Sequence, residues 1–297
     1  MNIVLYILVV AIWGTTWLPI KMQLGAVSAE VSVFYRFLIA SILLLFWSFI
    51  KKKKFDFTVK QHLMIAALGL MLFSTNYVLF YLGSYNLVSG LLSVVFSTIL
   101  IFNIILSILI FKTKADKNVF IAALVGLTGL VLTFLNDLQQ ASFYQTSAVG
   151  VAFCLLGTFV ASMGNIMSSY LQKQRVSVMA MNALGMTYGA VFLGVFCFFY
   201  GSSFNFDMRV EYIGSLLYLA VFGSVIGFGC YLTLLGRLGP ERVAYSAVMF
   251  PVVALAVSTF FEDFVWSLER GLGVSLIIIG NILILKRRPE VVKEQSV

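Results

Sequence analysis

Apolar segments of membrane-spanning length recur along almost the whole chain, and they limit its fold more than any other feature. A helix that crosses the hydrocarbon core of a bilayer needs about 20 predominantly apolar residues. Ten such segments are predicted, at about residues 3–22, 30–50, 62–82, 87–111, 118–135, 147–171, 178–200, 212–235, 243–261 and 270–286. The connections between them are short. We therefore expect an all-α integral membrane protein with ten transmembrane helices, and we exclude a large soluble catalytic or DNA-binding domain.

Composition indicates the same class of protein. Of the 297 residues, 61% are hydrophobic and only 11% are charged. Soluble globular domains carry roughly 25% charged residues, so this chain has too few to cover a water-exposed surface. Its cysteines, Cys154, Cys197 and Cys230, lie inside apolar segments without metal-ligand spacing, which indicates small buried side chains. Neither a metal nor a cofactor is predicted.

The basic residues predict the orientation of the chain. With both termini in the cytoplasm, the outer side receives only Lys21, Arg209 and Arg270, while Arg36 lies within a span. The cytoplasmic side then holds the other sixteen: Lys51, Lys52, Lys53, Lys54, Lys60, Lys112, Lys114, Lys117, Lys173, Arg175, Arg237, Arg242, Lys286, Arg287, Arg288 and Lys293. The positive-inside rule favours this topology over its reverse. The net charge of +8 is thus a topology signal, and no nucleic-acid partner is predicted.

The two halves of the chain are related by an offset of about 150 residues. Gly14 falls on Gly164, Thr15 falls on Asn165, and the apolar blocks align throughout. We predict five-helix repeats at residues 1–138 and 146–288, followed by a cytoplasmic tail at 289–297. Because five is odd, the second repeat enters the membrane from the opposite face. Inverted repeats build many secondary transporters, with the solute site near the midplane. Duplication for stability alone is the alternative.

Several local patterns resemble the EamA family of the drug/metabolite transporter superfamily. They are Trp13–Thr16 in the first span, Phe34–Phe37 in the second, and the run from Ala244 through Pro251 to Glu262 and then Gly273. The resemblance covers essentially the whole chain, including its length, short loops and basic cytoplasmic ends. It implies export or exchange of small metabolites, commonly amino acids, across a bacterial inner membrane. The sequence departs from the family pattern at Leu100, where proline is usual, and at Lys112, where glutamate is usual.

Prolines and polar side chains inside the spans predict a solute-binding cavity. Pro19 and Pro251 each free a backbone carbonyl four residues earlier, and a freed group in a bilayer must find a partner or line a wet cavity. Amides and hydroxyls can bind the ammonium or carboxylate of a zwitterion without a buried permanent charge. The predicted lining residues are Trp13, Trp17, Asn76, Tyr77, Asn103, Asn165 and Tyr245. For each of them, hydrogen bonding between helices is the alternative role.

Arg36 is the one basic residue well inside a span, about 7 Å from its outer end. We predict that it attracts anionic solutes at the outer mouth; an interface anchor and an internal ion pair are the alternatives. No Asp or Glu occupies the centre of a predicted span. Proton antiport through an embedded carboxylate is therefore disfavoured.

The predicted function is a non-enzymatic, alternating-access carrier for a small solute, most consistent with amino acids. A lipid-linked sugar flippase is a rival in the same class. An intramembrane lipid-modifying enzyme is a rival in another class, although its nucleophile and base would have to come from one histidine and buried hydroxyls. The GxxxG pairs Gly185/Gly189 and Gly223/Gly227 predict close helix packing inside a monomer, with a dimer face as the alternative.

Overall fold

The computed structural model describes residues 2–52, 55–111, 117–133, 147–238, 243 and 245–285. All regular structure in these ranges is helical, as predicted. The junction between the predicted repeats, the tail at 289–297 and Lys112 lie outside the described residues.

The described chain forms fourteen α-helices and two π-helical segments. The helices are α1 (Asn2–Thr15), α2 (Trp17–Met22), α3 (Ala29–Ile50), α4 (Val59–Leu70), α5 (Asn76–Ser84), α6 (Ser89–Phe96), α7 (Ile99–Phe111), α8 (Lys117–Thr133), α9 (Ser147–Lys173), α10 (Val178–Tyr200), α11 (Val210–Tyr218), α12 (Gly227–Leu238), α13 (Tyr245–Phe261) and α14 (Leu268–Leu285). The π-helical segments, Met71–Thr75 and Leu219–Ile226, join α4 to α5 and α11 to α12.

Seven predicted spans are confirmed as helices long and apolar enough to cross a membrane. They are Asn2–Met22, Ala29–Ile50, Val59–Ser84, Ser89–Ile110, Ala148–Lys173, Val178–Tyr200 and Val210–Leu238. The other three predicted spans coincide with α8, α13 and α14. Two of these contain shorter apolar stretches, Leu124–Thr133 and Met249–Phe261. The total of ten spans stays a prediction.

Polarity is distributed as expected for a protein dissolved in lipid. The aromatic side chains of Phe49, Phe199 and Phe260 are more than 80% exposed, whereas Ser32 and Ser224 are fully buried. A water-soluble protein buries its large apolar side chains, but hydrocarbon provides no hydrogen bonds for polar ones. The described helices therefore turn apolar surface outward and satisfy polar groups inside.

The two halves of the sequence are packed into each other. The most extensive helix pairs are α3 with α10, α5 with α9, α1 with α13 and α8 with α14. Each pair joins a helix before residue 134 to one after residue 146. At the crossing of α4 and α10 the backbones almost touch, because a Cβ on Gly189 would lie 2.8 Å from the Phe73 carbonyl oxygen and 2.9 Å from that of Gly69. The Gly185/Gly189 pair thus packs inside the chain, as predicted.

Candidate solute-binding cavity

A cavity lies where helices from both halves converge. The cavity has a volume of about 40 Å³. Aromatic and polar side chains dominate its wall, which consists of Trp13, Thr16, Trp17, Ile20, Leu72, Asn76, Tyr77, Phe80, Phe96, Ile99, Ala161, Asn165, Phe228, Tyr231 and Phe250.

A break in the first span positions one wall. Helix α1 ends at Thr15 and α2 begins at Trp17, two residues before Pro19. Proline donates no backbone hydrogen bond and its ring crowds the preceding turn, so the helix is interrupted at this point. The first bond after the break runs from the Ile20 amide to the Thr16 carbonyl at 3.1 Å. Side chains from both sides of the break then reach the cavity.

The two π-helical segments position the facing walls. Met71–Thr75 immediately precedes the lining residues Asn76 and Tyr77, and Leu219–Ile226 precedes Phe228 and Tyr231. A π-helical turn contains an extra residue, which rotates the side chains that follow and is frequent at functional sites. Side chains compensate its irregular backbone, since the Trp13 Nε1 donates to the Gly223 carbonyl at 3.0 Å.

Aromatic contacts fix the orientation of the two tryptophans. The Trp13 ring centroid lies 4.9 Å from that of Phe228 and 4.7 Å from that of Tyr231. The Trp17 centroid lies 5.6 Å from that of Phe80 in an edge-to-face arrangement. Such contacts add to the burial energy and hold the rings in place. The cavity wall consequently consists mainly of aromatic rings that contact one another, with few polar side chains among them.

Two polar atoms of the residues in the cavity wall have no hydrogen-bond partner. They are the Nε1 donor of Trp17 and the Oδ1 acceptor of Asn76, and both atoms are fully buried. Buried polar groups in folded proteins are nearly always paired, so an orphan donor and an orphan acceptor beside one cavity call for a ligand or water. By contrast, the Nδ2 of Asn165 already donates to the Tyr231 hydroxyl at 3.1 Å.

The structure brings together five of the eight predicted site residues. Trp13, Trp17, Asn76, Tyr77 and Asn165 all line the cavity. Asn103 and Arg36 do not line it.

Asn103 is fully buried in α7, and its side-chain oxygen accepts a hydrogen bond of 2.6 Å from the Ser162 Oγ. Ser162 lies one helical turn before Asn165 on α9. Asn103 supports the wall rather than forming it. The side chain of Tyr245 lies outside the described residues.

Arg36 lies in the protein interior. Its side chain is 1% exposed, its Nε donates to the Ser224 Oγ at 2.9 Å, and its guanidinium carbon lies 4.2 Å from the Tyr77 ring centroid. Within the described ranges no carboxylate forms an ion pair with it. The residue is therefore neither an exposed interface anchor nor half of an ion pair with any described carboxylate.

Sequence reasoning missed most of the aromatic wall. Phe80, Phe96, Phe228, Tyr231 and Phe250 line the cavity but were not predicted to do so. An aromatic side chain in an apolar span has the same sequence signature whether it faces lipid or a cavity. Only the Tyr231 hydroxyl, a polar atom inside a span, offered a signal.

A hydrogen-bond network that includes Lys21 lies next in sequence to the cavity-lining residue Ile20. We call it the Glu262 network. Lys21 and Glu262 form an ion pair of 3.2 Å between Nζ and Oε1, and the Glu262 side chain is 6% exposed. The same carboxylate accepts a bond of 3.0 Å from the Ser89 amide, one from the Ser89 hydroxyl, and one of 2.6 Å from the Ser258 Oγ.

The Glu262 network keeps its carboxylate ionised. Burial raises the pKa of the Glu262 carboxyl, but the hydrogen bonds from Ser258 and Ser89 and the charge of Lys21 outweigh burial and hold this pKa below its ordinary value. Lys21 and Ser89 belong to the first half of the chain, and Ser258 and Glu262 belong to the second. The network therefore ties α2 and α6 to α13.

Among the residues that the structure describes, no group of three or more His, Cys, Asp or Glu side chains could hold a metal ion.

A family model decides the class of this protein. The model of the EamA-like transporter family matches the chain twice, at residues 1–135 and 148–286. The chain belongs to the EamA-like transporter family. It is a multi-pass membrane protein of the transporter kind, and the resemblance seen in its sequence is confirmed.

Curated relatives match along nearly their full length. Protein PagO of Salmonella typhimurium is 25% identical over 96% of this chain and 93% of its own. The uncharacterized inner membrane transporter YedA of Escherichia coli K12 is 25% identical over 92% of this chain and 87% of its own. The uncharacterized transporter YvbV of Bacillus subtilis is 27% identical over 97% of this chain and 92% of its own. A solved crystal structure shares the fold, with a TM-score of 0.70 and 14% identity over 97% of this chain and 99% of that one.

Proposed function

We propose that this EamA-family protein is an inner-membrane secondary transporter that exports or exchanges small zwitterionic metabolites, with amino acids as the solute class. One observation carries the proposal: Trp17 and Asn76, whose Nε1 and Oδ1 atoms are buried without a hydrogen-bond partner, both line the same aromatic cavity. A solute carboxylate can accept from the indole N–H, and a solute ammonium can donate to the amide oxygen. The aromatic wall then covers the apolar part of the solute.

Alternating access between two inverted five-helix repeats is the proposed mechanism. Three observations support it. The family model matches each half separately, the π-helical segments begin at residues 71 and 219, which is 148 residues apart, and both halves contribute to the cavity. Repeats of this kind rock against each other around a central site. The Glu262 network would hold the outer end closed while the inner end opens.

Solute counterflow in proteoliposomes tests the proposal. Purified protein is reconstituted with an unlabelled amino acid inside, and entry of the same labelled amino acid is measured without an energy source. We expect trans-stimulated entry for at least one amino acid. Absence of entry for all twenty, together with scrambling of a fluorescent lipid reporter, would replace the proposal with a flippase.

Substitutions of the two cavity amides connect transport to this site. We expect Asn76→Leu and Asn165→Leu to lower counterflow at least tenfold. A hydrogen bond between a side-chain amide and a charged group of the solute contributes about 1.5–3 kcal/mol. Asn182→Leu is the matched control, since Asn182 is equally buried in α10 and also has an unpaired Oδ1 but does not line the cavity. Equal flux for all three variants at equal expression would remove the amides from the site.

A further inference from the structure

We propose that Arg36 selects solutes that bear a carboxylate, so that this group, and not the amine, is the obligatory part of the cargo. The inference rests on the proposed transport function and adds the charge that the cavity recognises. It also moves the role of Arg36 from an outer mouth to the central site.

Arg36 carries a buried positive charge that no described carboxylate pairs with. Arg36 is 1% exposed, and its Nη1 has no hydrogen-bond partner. The described carboxylates that form ion pairs, Glu262 and Asp207, pair with Lys21 and Arg209 instead. An isolated buried charge is among the costliest groups in a folded protein, unless a partner of opposite charge compensates it. A solute carboxylate would supply that partner whenever the site is loaded.

The Arg36 guanidinium lies next to residues of the cavity wall. The guanidinium lies between the Tyr77 ring, with the 4.2 Å contact described above, and the π-helical turn at Gly223. A Cβ on Gly223 would lie 3.2 Å from the Arg36 Nη2 and 3.2 Å from the Thr16 Cγ2. Tyr77 and Thr16 both line the cavity. Arg36 is therefore separated from the cavity by a single side chain, and rotation of the Tyr77 ring would join the two.

The cavity wall itself carries no charged side chain. All fifteen lining residues are uncharged, and the ring of one of them, Tyr77, is contacted by the positively charged guanidinium of Arg36. At low effective dielectric its positive potential attracts a carboxylate and repels a free ammonium. The Trp17 Nε1 supplies a second donor for the carboxylate, while Asn76 provides only one neutral acceptor for an amine. A solute with an amine and no carboxylate is consequently disfavoured.

Matched pairs of ligands test this selection. The probes are L-alanine and ethylamine, L-leucine and 3-methylbutylamine, and L-phenylalanine and 2-phenylethylamine. Binding to the full-length protein in detergent is followed by tryptophan fluorescence, because Trp13 and Trp17 line the cavity, and counterflow is measured for all six. The variants are Arg36→Gln and Arg36→Lys. Ser224→Ala is the control, since it removes the Nε acceptor but keeps the charge.

We expect at least one amino acid to bind and its amine partner to bind at least tenfold more weakly. Arg36→Gln should abolish this preference, Arg36→Lys should retain part of it, and Ser224→Ala should retain all of it. A purely structural role for Arg36 would weaken both members of a pair equally. That result, equal binding of both members to the wild type, or binding of none of the six would overturn the proposal.

The two proposals can fail separately. Counterflow of an amine without its amino acid would leave transport standing and overturn carboxylate selection. Arg36-dependent binding of an amino acid without any counterflow would support carboxylate selection and contradict transport.

Discussion

Two indole nitrogens on neighbouring turns of the first span have opposite hydrogen-bond states. The Trp13 Nε1 donates to the Gly223 carbonyl, whereas the Trp17 Nε1 has no partner. Both rings line the cavity and both pack against other aromatic rings. The first indole thus binds a π-helical carbonyl of the scaffold, and the second is the donor that we propose for the solute.

Replacement of each tryptophan by phenylalanine should separate these roles. Trp13→Phe removes the hydrogen bond to the Gly223 carbonyl, and we expect a loss of about 0.5–1.5 kcal/mol in the free energy of unfolding. Trp17→Phe removes an unpaired donor, so we expect unchanged stability and at least threefold weaker solute binding. Thermal unfolding in detergent and fluorescence titration measure the two effects. Loss of stability in Trp17→Phe alone would contradict the assignment.

Single residues were predictable only where their chemistry is costly in lipid. Trp17 and Asn76 were found because a polar atom inside an apolar span needs a reason to be there. The depth of Arg36 in its span was also readable from the sequence. Its stacking on Tyr77 and its bond to Ser224 were not, because they depend on how α3 is rotated against the second π-helical segment.

At the scale of elements, the Glu262 network joins three helices that have no other charged tie among the described residues. It connects α2 through Lys21, α6 through Ser89, and α13 through Ser258 and Glu262. Lys21 directly follows the lining residue Ile20, so the network is joined through α2 to the cavity wall. The network is thus suited to be the latch of the proposed outer gate.

Acidification should open this latch. Because the folded-state pKa of Glu262 lies below its ordinary value, the network is fully formed above the ordinary carboxyl pKa of about 4.3 and is lost as the pH falls through the lower folded-state value. Nitroxide labels at Met22→Cys and Phe261→Cys report the separation of α2 and α13 by electron paramagnetic resonance. We expect a longer distance at a pH well below the ordinary carboxyl pKa than at pH 7.

Neutral side chains provide the controls for the latch. Glu262→Gln should give the longer distance already at pH 7, since it removes the charge that holds Lys21. Asp263→Asn, a change of the exposed neighbouring carboxylate, should leave the wild-type response intact. A distance in Glu262→Gln that matches the wild type at pH 7 would show that the network is not a latch.

Helix positions were predictable for physical reasons that do not extend to helix irregularities. A helix that crosses the bilayer needs a long apolar segment, and such segments can be located in the sequence. The helices α3 and α10 therefore begin and end within a few residues of their predicted bounds. The break at Thr16 followed from Pro19. The π-helical segments have no such marker, since Met71–Thr75 and Leu219–Ile226 are ordinary apolar sequence that packing forces into a wider turn.

At the scale of the whole molecule, the most extensive contacts between described helices that are distant in sequence join the two halves. The pairs α3 with α10 and α8 with α14 relate the second span to the seventh and the fifth predicted span to the tenth. A two-fold relation between the repeats would pair elements in this way, because it exchanges each member of a pair with the other. The proposed inverted orientation of the halves can be tested independently of solute and gate.

Equivalent loops of the two repeats should face opposite sides of the membrane. Ala26 lies between the first two spans, and Gln174 lies between the sixth and the seventh; both residues are exposed and 148 positions apart. In a background that lacks the three native cysteines, we expect a membrane-impermeant maleimide to label Ala26→Cys in intact cells. Gln174→Cys should be labelled only after permeabilisation, because the positive-inside rule places Lys173 and Arg175 in the cytoplasm. Labelling of both from the outside would mean that the halves are parallel, and a rocking mechanism between inverted repeats would then be wrong.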